Sequence, residues 1–481
     1  MPSDAHQQDA HGALGFEDTG IDRRTVLGGA SAAALGISSL LLPRAAAAVS
    51  PGGAGTGTFT QTAALTSATL GTASTQVLRS FSWGTSRFFC TRDTDGMLKD
   101  LIEFSATGAR LQTIPIPTPP TRSLDENRIT PFIVVGDAAY AAFTQTISSV
   151  PYLRVMKLAL STSSETGPTS VTTSYLDVNL SSAGLGLWGV RTFGGASYTG
   201  VTSGNIGDPV SALVDRGDGA LHCLMNNRGV DALDSNFHFL DHIRIPLDGS
   251  APTTMNLAAG AAESEFDDPG PERDIGWPIQ SSIHHAVAVQ SASPTHAIFF
   301  DLRMYESGSA LLVDLSASPV SSEIIDVEFA SDAFNPTISS VTSFDVYSRD
   351  RSIVRVGSDL WVGAGTLNSS AAAVRFDLST VVASKKLRAT AGVLIPGSSD
   401  GKGLPSVATD GTFLYLVFEP SNSNWSVAKV QFATPSWLGS APLGVSPFPA
   451  IDPFTIQATT TGALVGGSSA TAPIAAVGVA Q

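Results

Sequence analysis

Six carboxylates crowd one short stretch of this chain. In AAESEFDDPGPERDIGW (261–277), Glu263, Glu265, Asp267, Asp268, Glu272 and Asp274 precede Trp277 on a segment broken by Pro and Gly. Hard oxygen donors on irregular backbone suit Ca2+, so Glu265, Asp267 and Asp268 are the candidate metal ligands. Their spacing departs from the twelve-residue calcium loop, and a solvated acidic loop explains the same composition. Shortly beyond, His284 and His285 open a strand-like run. Neighbouring strand residues point to opposite faces, so at most one of the two looks toward a shared site. An imidazole there could transfer a proton or hold a ligand, and Asp274, Trp277, His284 and His285 form the candidate ligand-binding set. A hydrogen-bonded structural histidine is the plainer alternative.

A second group is DALDSNFHFLDHIRI (231–245), where Asp234, His238 and His242 recur every four residues. On a helix that spacing would align three metal ligands. The run FHFLDHIRIP alternates instead, with Phe237, Phe239, Ile243 and Ile245 in step. On a strand His238 and His242 lie about 13 Å apart and cannot share an ion. The strand reading is preferred. DTDG (93–96) and RGDG (216–219) read as tight turns in which Asp-Gly supplies positive φ. Beyond the first 48 residues there is no G-x-S-x-G, and nowhere an H-E-x-x-H, a P-loop or a convincing G-x-G-x-x-G, so no catalytic residue is assigned.

The elements that would carry these residues are strands. SVATDGTFLYLVFEPSNSNWSVAKVQF (406–432) reads as an apolar entry, a tight Asp410-Gly411 turn, a second apolar strand, a polar loop and a third alternating strand. The pattern recurs at 75–105, 129–160, 209–248, 283–316, 351–379 and 454–481. Short apolar candidates for a fourth strand follow at 110–117, 171–180, 322–329 and 381–389. Four short antiparallel strands, repeated, are the mark of β-propeller blades. Stacking blades radially covers both faces of each sheet, which explains strands apolar on both sides such as Phe413–Phe418. Outside the N-terminus no window keeps a 3.6-residue period. The chain therefore resembles the β-propeller superfamily over almost all of residues 49–481, in architecture and without a family-specific motif. The expected fold is all-β, a single seven-bladed propeller of four-stranded antiparallel blades. Six or eight blades, the eighth within 161–208, and paired β-sandwiches are the alternatives. The seventh unit stops at its third strand, and GTFTQTAAL (57–65) is the candidate that pairs with it and closes the ring.

Residues 22–48, DRRTVLGGASAAALGISSLLLPRAAAA, resemble a twin-arginine (Tat) export signal: Arg23-Arg24, a Gly/Ala-rich apolar run, then Ala46-Ala47-Ala48 as an A-x-A-like cleavage site. Val26 and Gly28 depart from the usual pattern. The resemblance implies a signal at 1–48, a mature chain from 49, and delivery to the cell envelope or the medium; a retained anchor is the alternative. Export of an already folded protein fits a chain with two cysteines, Cys90 and Cys223, expected to stay unpaired and buried. The formal charge of −15 opposes phosphate backbones and anionic membranes, so neither nucleic acid nor, after signal removal, membrane is an expected partner. The mature chain is expected to be a monomer.

Two functions fit. One is an exported binding protein presenting loops on one face to a glycan, peptide or surface partner. The other is a secreted hydrolase or lyase, as lactonases and streptogramin-lyase-like propellers are, working through a divalent metal or a channel histidine. That second resemblance is architectural only. The acidic loop 263–274 and a long loop at 226–236 are expected on one rim, as the ligand face.

Overall fold

A computed structural model describes residues 59–71, 73–94, 98–117, 129–148, 150–162, 168–180, 190–193, 196–200, 213–230, 236–261, 283–289, 295–301, 308–328, 353–365, 371–396, 406–419 and 425–481. Nearly all are strand. The chain opens with β1 (Gln61–Thr66) and a single helical turn, α1 (Ser67–Leu70). A first antiparallel meander follows: β2 (Gln76–Trp83), β3 (Ser86–Arg92), β4 (Leu98–Phe104) and β5 (Arg110–Pro115). The second is β6 (Ile133–Val135), β7 (Ala138–Ile147), β8 (Val150–Thr162) and β9 (Thr169–Asn179).

The third sheet is larger. It contains β10 (Val190–Phe193), β11 (Ala196–Gly200), β12 (Val214–Asp215), β13 (Ala220–Val230), β14 (Asn236–Pro246) and β15 (Thr253–Ala261), with β11 and β12 both pairing β13. Next come β16 (Ile283–Val289), β17 (His296–Asp301), β18 (Gly308–Asp314) and β19 (Ser321–Glu328). The fifth unit is β20 (Ile353–Val356), β21 (Asp359–Gly365), β22 (Ala371–Asp377), a helical turn α2 (Val381–Ser384) and β23 (Lys386–Leu394). The sixth is β24 (Val407–Thr409), β25 (Phe413–Phe418), β26 (Ser426–Gln431) and β27 (Ser436–Pro442). The last is β28 (Ile451–Ala458), β29 (Ala463–Ser469) and β30 (Ala475–Ala480).

The turns explain the meanders. Gly136 and Gly411, each at φ above +50°, reverse the chain between the first two strands of their units, where a side chain would be strained. One backbone bond then recurs where the third strand ends beside that turn. Leu160 N–H reaches Asp137 O (2.8 Å), Leu247 reaches Gly219 O (2.9 Å), Leu315 reaches Thr295 O (2.8 Å) and Leu378 reaches Ser358 O (2.9 Å). Four consecutive units thus share one local construction, as repeats should.

Packing links the units in a cycle. Phe81, Phe88 and Leu101 of the first sheet pack with Phe143, Met156 and Leu158 of the second. Leu153 and Val155, on the other face of β8, pack with Leu221, Cys223 and Ile243 of the third. The third meets the fourth through Val214, Leu224, Phe299 and Val313, and the fourth meets the fifth through Ile298, Leu312, Leu360 and Phe376. β25 shows the rule most clearly: Leu414, Leu416 and Phe418 pack on the fifth unit, while Tyr415 and Val417 pack on the last. Phe89, Ile102, Leu464 and Val477 close the cycle between last and first. Each such side chain contributes about 1.5–3 kcal/mol by leaving water. The first strands of the units adjoin in turn: β28, β2, β6, β12 and β16, with β20 and β24 leading back to β28. This is the β-propeller architecture. A pair of sandwiches would give each sheet one partner, and here each has two.

The final sheet runs β1-β30-β29-β28, so its outer strand comes from the start of the described chain. Ala64 lies opposite Gly478 and Leu65 opposite Val477. Thr60 and Gln481 exchange both backbone bonds at 2.9 Å. The strand sought at 57–65 is found at 61–66.

One seam differs from the others. β19 and β23, the outer strands of the fourth and fifth units, pair directly and in parallel, with Asp326 opposite Lys386 and Glu328 opposite Arg388. Lys385–Glu323, Lys386–Glu328 and Arg388–Glu328 ion pairs line this ladder. The two meanders become one eight-stranded sheet.

Three boundaries correct the sequence reading. Residues 226–230, expected in a loop, extend β13 and pair with 236–240. Cross-strand pairing overrides the weak strand preference of Asn226, Asn227 and Gly229 there. Residues 381–384 form α2 rather than the start of the fourth strand, which begins at Lys386. Between 161 and 208 the described strands supply the outer strand of the second sheet and β10–β11 of the third, rather than a separate sheet. Cys90 and Cys223 form no disulfide and are fully buried, at different seams.

Candidate functional site

The predicted acidic loop, with Glu263, Glu265, Asp267, Asp268, Glu272, Asp274 and Trp277, lies outside the described residues, as does Asp234. The strand ends around it are defined. Val230 pairs with Asn236, and Phe237 pairs with both Gly229 and Ala261. The chain therefore leaves β13 toward 231–235 and leaves β15 toward 262–282 at the same end of the third sheet. His284 and His285 fall in β16, where the ladder runs Ile283–Asp301 then His285–Phe300 and skips His284. That irregularity re-aims the strand at its first turn of pleat. His238 and His242 sit on β14, as strand residues. Among the described residues no group of three His, Cys, Asp or Glu is placed to hold a metal ion, and no helix is long and apolar enough to cross a membrane.

The structure brings together a different set. At the opposite end of the third sheet, the Arg216-Gly217-Asp218-Gly219 turn joins β12 to β13, with Gly217 at φ 79° and Gly219 at φ 76°. Asp215 Oδ1 accepts from Gly217 N–H at 2.8 Å, which tightens the turn and leaves Asp218 facing the sheet. In the antiparallel ladder Leu224 lies opposite His242 and His222 opposite Arg244. Side chains two apart share a face, so His222 and His242 meet on the diagonal. Their rings stack with centroids 5.2 Å apart at 20°, and His222 Nδ1 lies 3.0 Å from His242 Nε2. His222 Nε2 is 3.2 Å from both Asp218 oxygens. Arg216 Nε stands 3.0 Å and Arg244 Nε 3.4 Å from Asp218 Oδ2. Both imidazoles are buried, at 1% and 3% exposure, against the face that meets the fourth unit.

The hydrogens follow from this geometry. An ionised Asp218 only accepts, so His222 Nε2 carries a proton toward it. A neutral His222 then offers Nδ1 as an acceptor, and His242 Nε2–H donates to it. The chain runs His242 to His222 to Asp218. Burial drives the His242 pKa down to about 3, helped by the His222 and Arg244 charges and opposed by Asp218. Burial also lowers His222, against the hydrogen bond and charge of Asp218 and with Arg216 and Arg244. For Asp218 burial acts upward, but the His222 hydrogen bond and charge, and those of Arg216, outweigh it and hold the carboxyl below its usual range. Near neutral pH the site is two neutral rings against one carboxylate. The nitrogens a metal would need are turned on each other.

Sequence reasoning missed His222 and took 216–219 as turn chemistry alone. A signal was present: His222 interrupts the run ALHCLM, and a polar ring on a strand buried on both faces must find a partner. The identity of that partner, twenty residues on, depends on register.

No protein-family model and no curated protein matches this chain. Among solved structures, the C-terminal WD40 domain of Sif2 is 11% identical over 88% of this chain and 98% of that one, with a TM-score of 0.36. The apocarotenoid oxygenase of Synechocystis, in a Trp149Ala mutant form, is 10% identical over 76% of this chain and 71% of its own, at 0.36. The sialidase of Trypanosoma rangeli is 8% identical over 84% and 53%, at 0.33. At such scores the architecture rests on the ladders and packing given above.

Proposed function

We propose that this chain is an exported, seven-bladed propeller that binds an extracellular or cell-envelope ligand through the rim where residues 231–235 and 262–282 leave the third sheet. The common exit of those two connections is the observation that carries the reading. Both connections start from one end of the third sheet, as blade-connecting loops around a propeller axis do, and the second carries the acidic stretch and Trp277 in its sequence. Two buried polar clusters are satisfied internally: Asp218, His222 and His242 in the third sheet, and Glu103 with Ser86 and Thr169 between the first and second. They hold the frame and leave recognition to the rim. Export rests on the resemblance of residues 22–48 to a Tat signal, and the ligand is a glycan, a peptide or a surface partner.

The test uses purified mature protein and a variant carrying Glu265→Gln, Asp267→Asn, Asp268→Asn and Asp274→Asn together. Sedimentation with envelope fractions, with and without Ca2+, should retain the parent and lose the variant at unchanged circular dichroism. Equal retention of both would overturn the reading. Metal analysis showing a stoichiometric transition ion would favour the hydrolase or lyase reading instead.

A further inference from the structure

We propose that His222 and His242, with Asp218 behind them, form a proton-counting latch that fastens the end of β13 beside the 216–219 turn to β14 and loosens that end in acid. The hydrogen-bond chain sets the count. With both rings neutral, His242 Nε2–H donates to His222 Nδ1, and His222 Nε2–H donates to Asp218. One added proton is tolerated: it can sit on the His242 nitrogen facing away, or on His222 Nδ1 with His242 Nε2 then accepting. A second cannot be held, because two N–H groups would face each other across 3.0 Å. The contact survives zero or one extra proton and breaks at two.

The surroundings oppose even the first. Among the described residues, Arg216 and Arg244 are the cations facing the pair, and Asp218 is the anion bound to it. Asp215 of β12 is held by Gly217 N–H. From the fourth unit, the side chains described on this face are apolar: Ala297, Phe299, Leu311, Val313 and Leu315. β16 adjoins β12, and His284 and His285 lie at the start of that strand. Asp241 of β14 is an odd-numbered neighbour, on the alternate face from His242. Buried imidazoles with these neighbours stay neutral well below their ordinary midpoint.

What the latch holds is small and well placed. It is the end of the β13–β14 ladder, where Ala220 lies opposite Pro246, and β12, which adjoins β6 and β16, pairs with that same stretch at Leu221 and His222. Loosening it frays that end and the β12 pairing seated on it, while the rest of the β13–β15 ladders stay paired. An open state with two imidazoles titrating near pH 6.5 gains up to ~100-fold per ring between pH 7.5 and 4.5, so opening rises by up to about 10^4-fold. Its dependence on pH approaches a slope of two.

Hydrogen exchange on the intact mature protein, corrected for the intrinsic pH dependence, reads this directly. The reporter is Leu247 N–H, bonded to Gly219 O, and the control is Leu378 N–H, bonded to Ser358 O in a unit without this cluster. Protection at Leu247 should fall at least 100-fold from pH 7.5 to 4.5 while Leu378 changes less than tenfold. A parallel fall at both, or none at Leu247, overturns the latch. In His242→Phe, which keeps a stacked ring and loses one titrating group, the slope should drop to about one; an unchanged slope counts against the proposal. If that variant does not fold, imidazole C–H titrations of the parent decide. The two rings together must gain no more than one proton while Leu247 is protected, and both titrating with midpoints near 6.5 at constant protection would refute it.

Discussion

Glu103 is fully buried, and the groups that meet it are neutral donors. Ser86 Oγ and Thr169 Oγ1 donate to it at 2.6 Å, Thr169 N–H at 3.0 Å and the Gln112 amide at 2.6 Å. One carboxylate thus ties the first turn and outer strand of one unit to the outer strand of the next. Replacing it with Ala leaves several buried donors without an acceptor, each worth roughly 1–3 kcal/mol. Glu103→Ala should lower unfolding free energy by about 3 kcal/mol in urea titration, with Glu103→Gln recovering part; an unchanged midpoint would remove this account. Nothing in DLIEFS marks Glu103 as a junction, because its partners are 9, 17 and 66 residues away. His222 was hidden for the same reason. A sequence shows that a polar group is buried in a strand more readily than it shows what satisfies it.

Strands were legible where turn chemistry and apolar runs agree. Gly136, Gly411 and the RGDG turn each sit between the first two strands of a unit, and β25 has the bounds its residues announce. Legibility failed where pairing decides: 226–230 became strand only through β14, and 381–384 coiled into a turn before β23. The parallel pairing of β19 with β23 had no local signature at all, since it joins strands nearly sixty residues apart. The element with the widest reach is β1. It gives β30 its outer neighbour, and Phe59 just before it packs among Tyr415, Val427 and Ile456. Lys429 Nζ lies 5.9 Å from the Phe59 ring centroid and 4.3 Å from that of Phe413, adding a cation–π contact. Deleting residues 49–66 removes a ladder and a buried aromatic ring worth about 3–5 kcal/mol. Calorimetry should show one transition, lowered by on the order of 5 °C. Melting at the parent's temperature would mean that β1 contributes nothing to closure.

Among the described residues, most neighbouring units touch chiefly through side chains, but two joins are made by backbone ladders. β1·β30 seals the last sheet and β19·β23 fuses the fourth unit to the fifth. Cutting the chain between 328 and 353 therefore leaves two pieces, 49–328 and 353–481, that share both ladders. A cut between 396 and 406 leaves only the first ladder to hold its fragments. Co-expressed 49–328 and 353–481 should co-purify as a folded complex, and should dissociate at lower concentration than 49–396 with 406–481. Equal dissociation constants would show that the parallel ladder adds no cohesion. The β19·β23 seam also bears on descent. Repeats bordered by side-chain contacts can be duplicated, lost or traded singly, since each new border needs only apolar faces that fit. Where two repeats share backbone hydrogen bonds and a charge pattern matched pair by pair, neither is replaceable alone. The fourth and fifth units form one heritable module, and new copies of a blade would enter this lineage at the other seams.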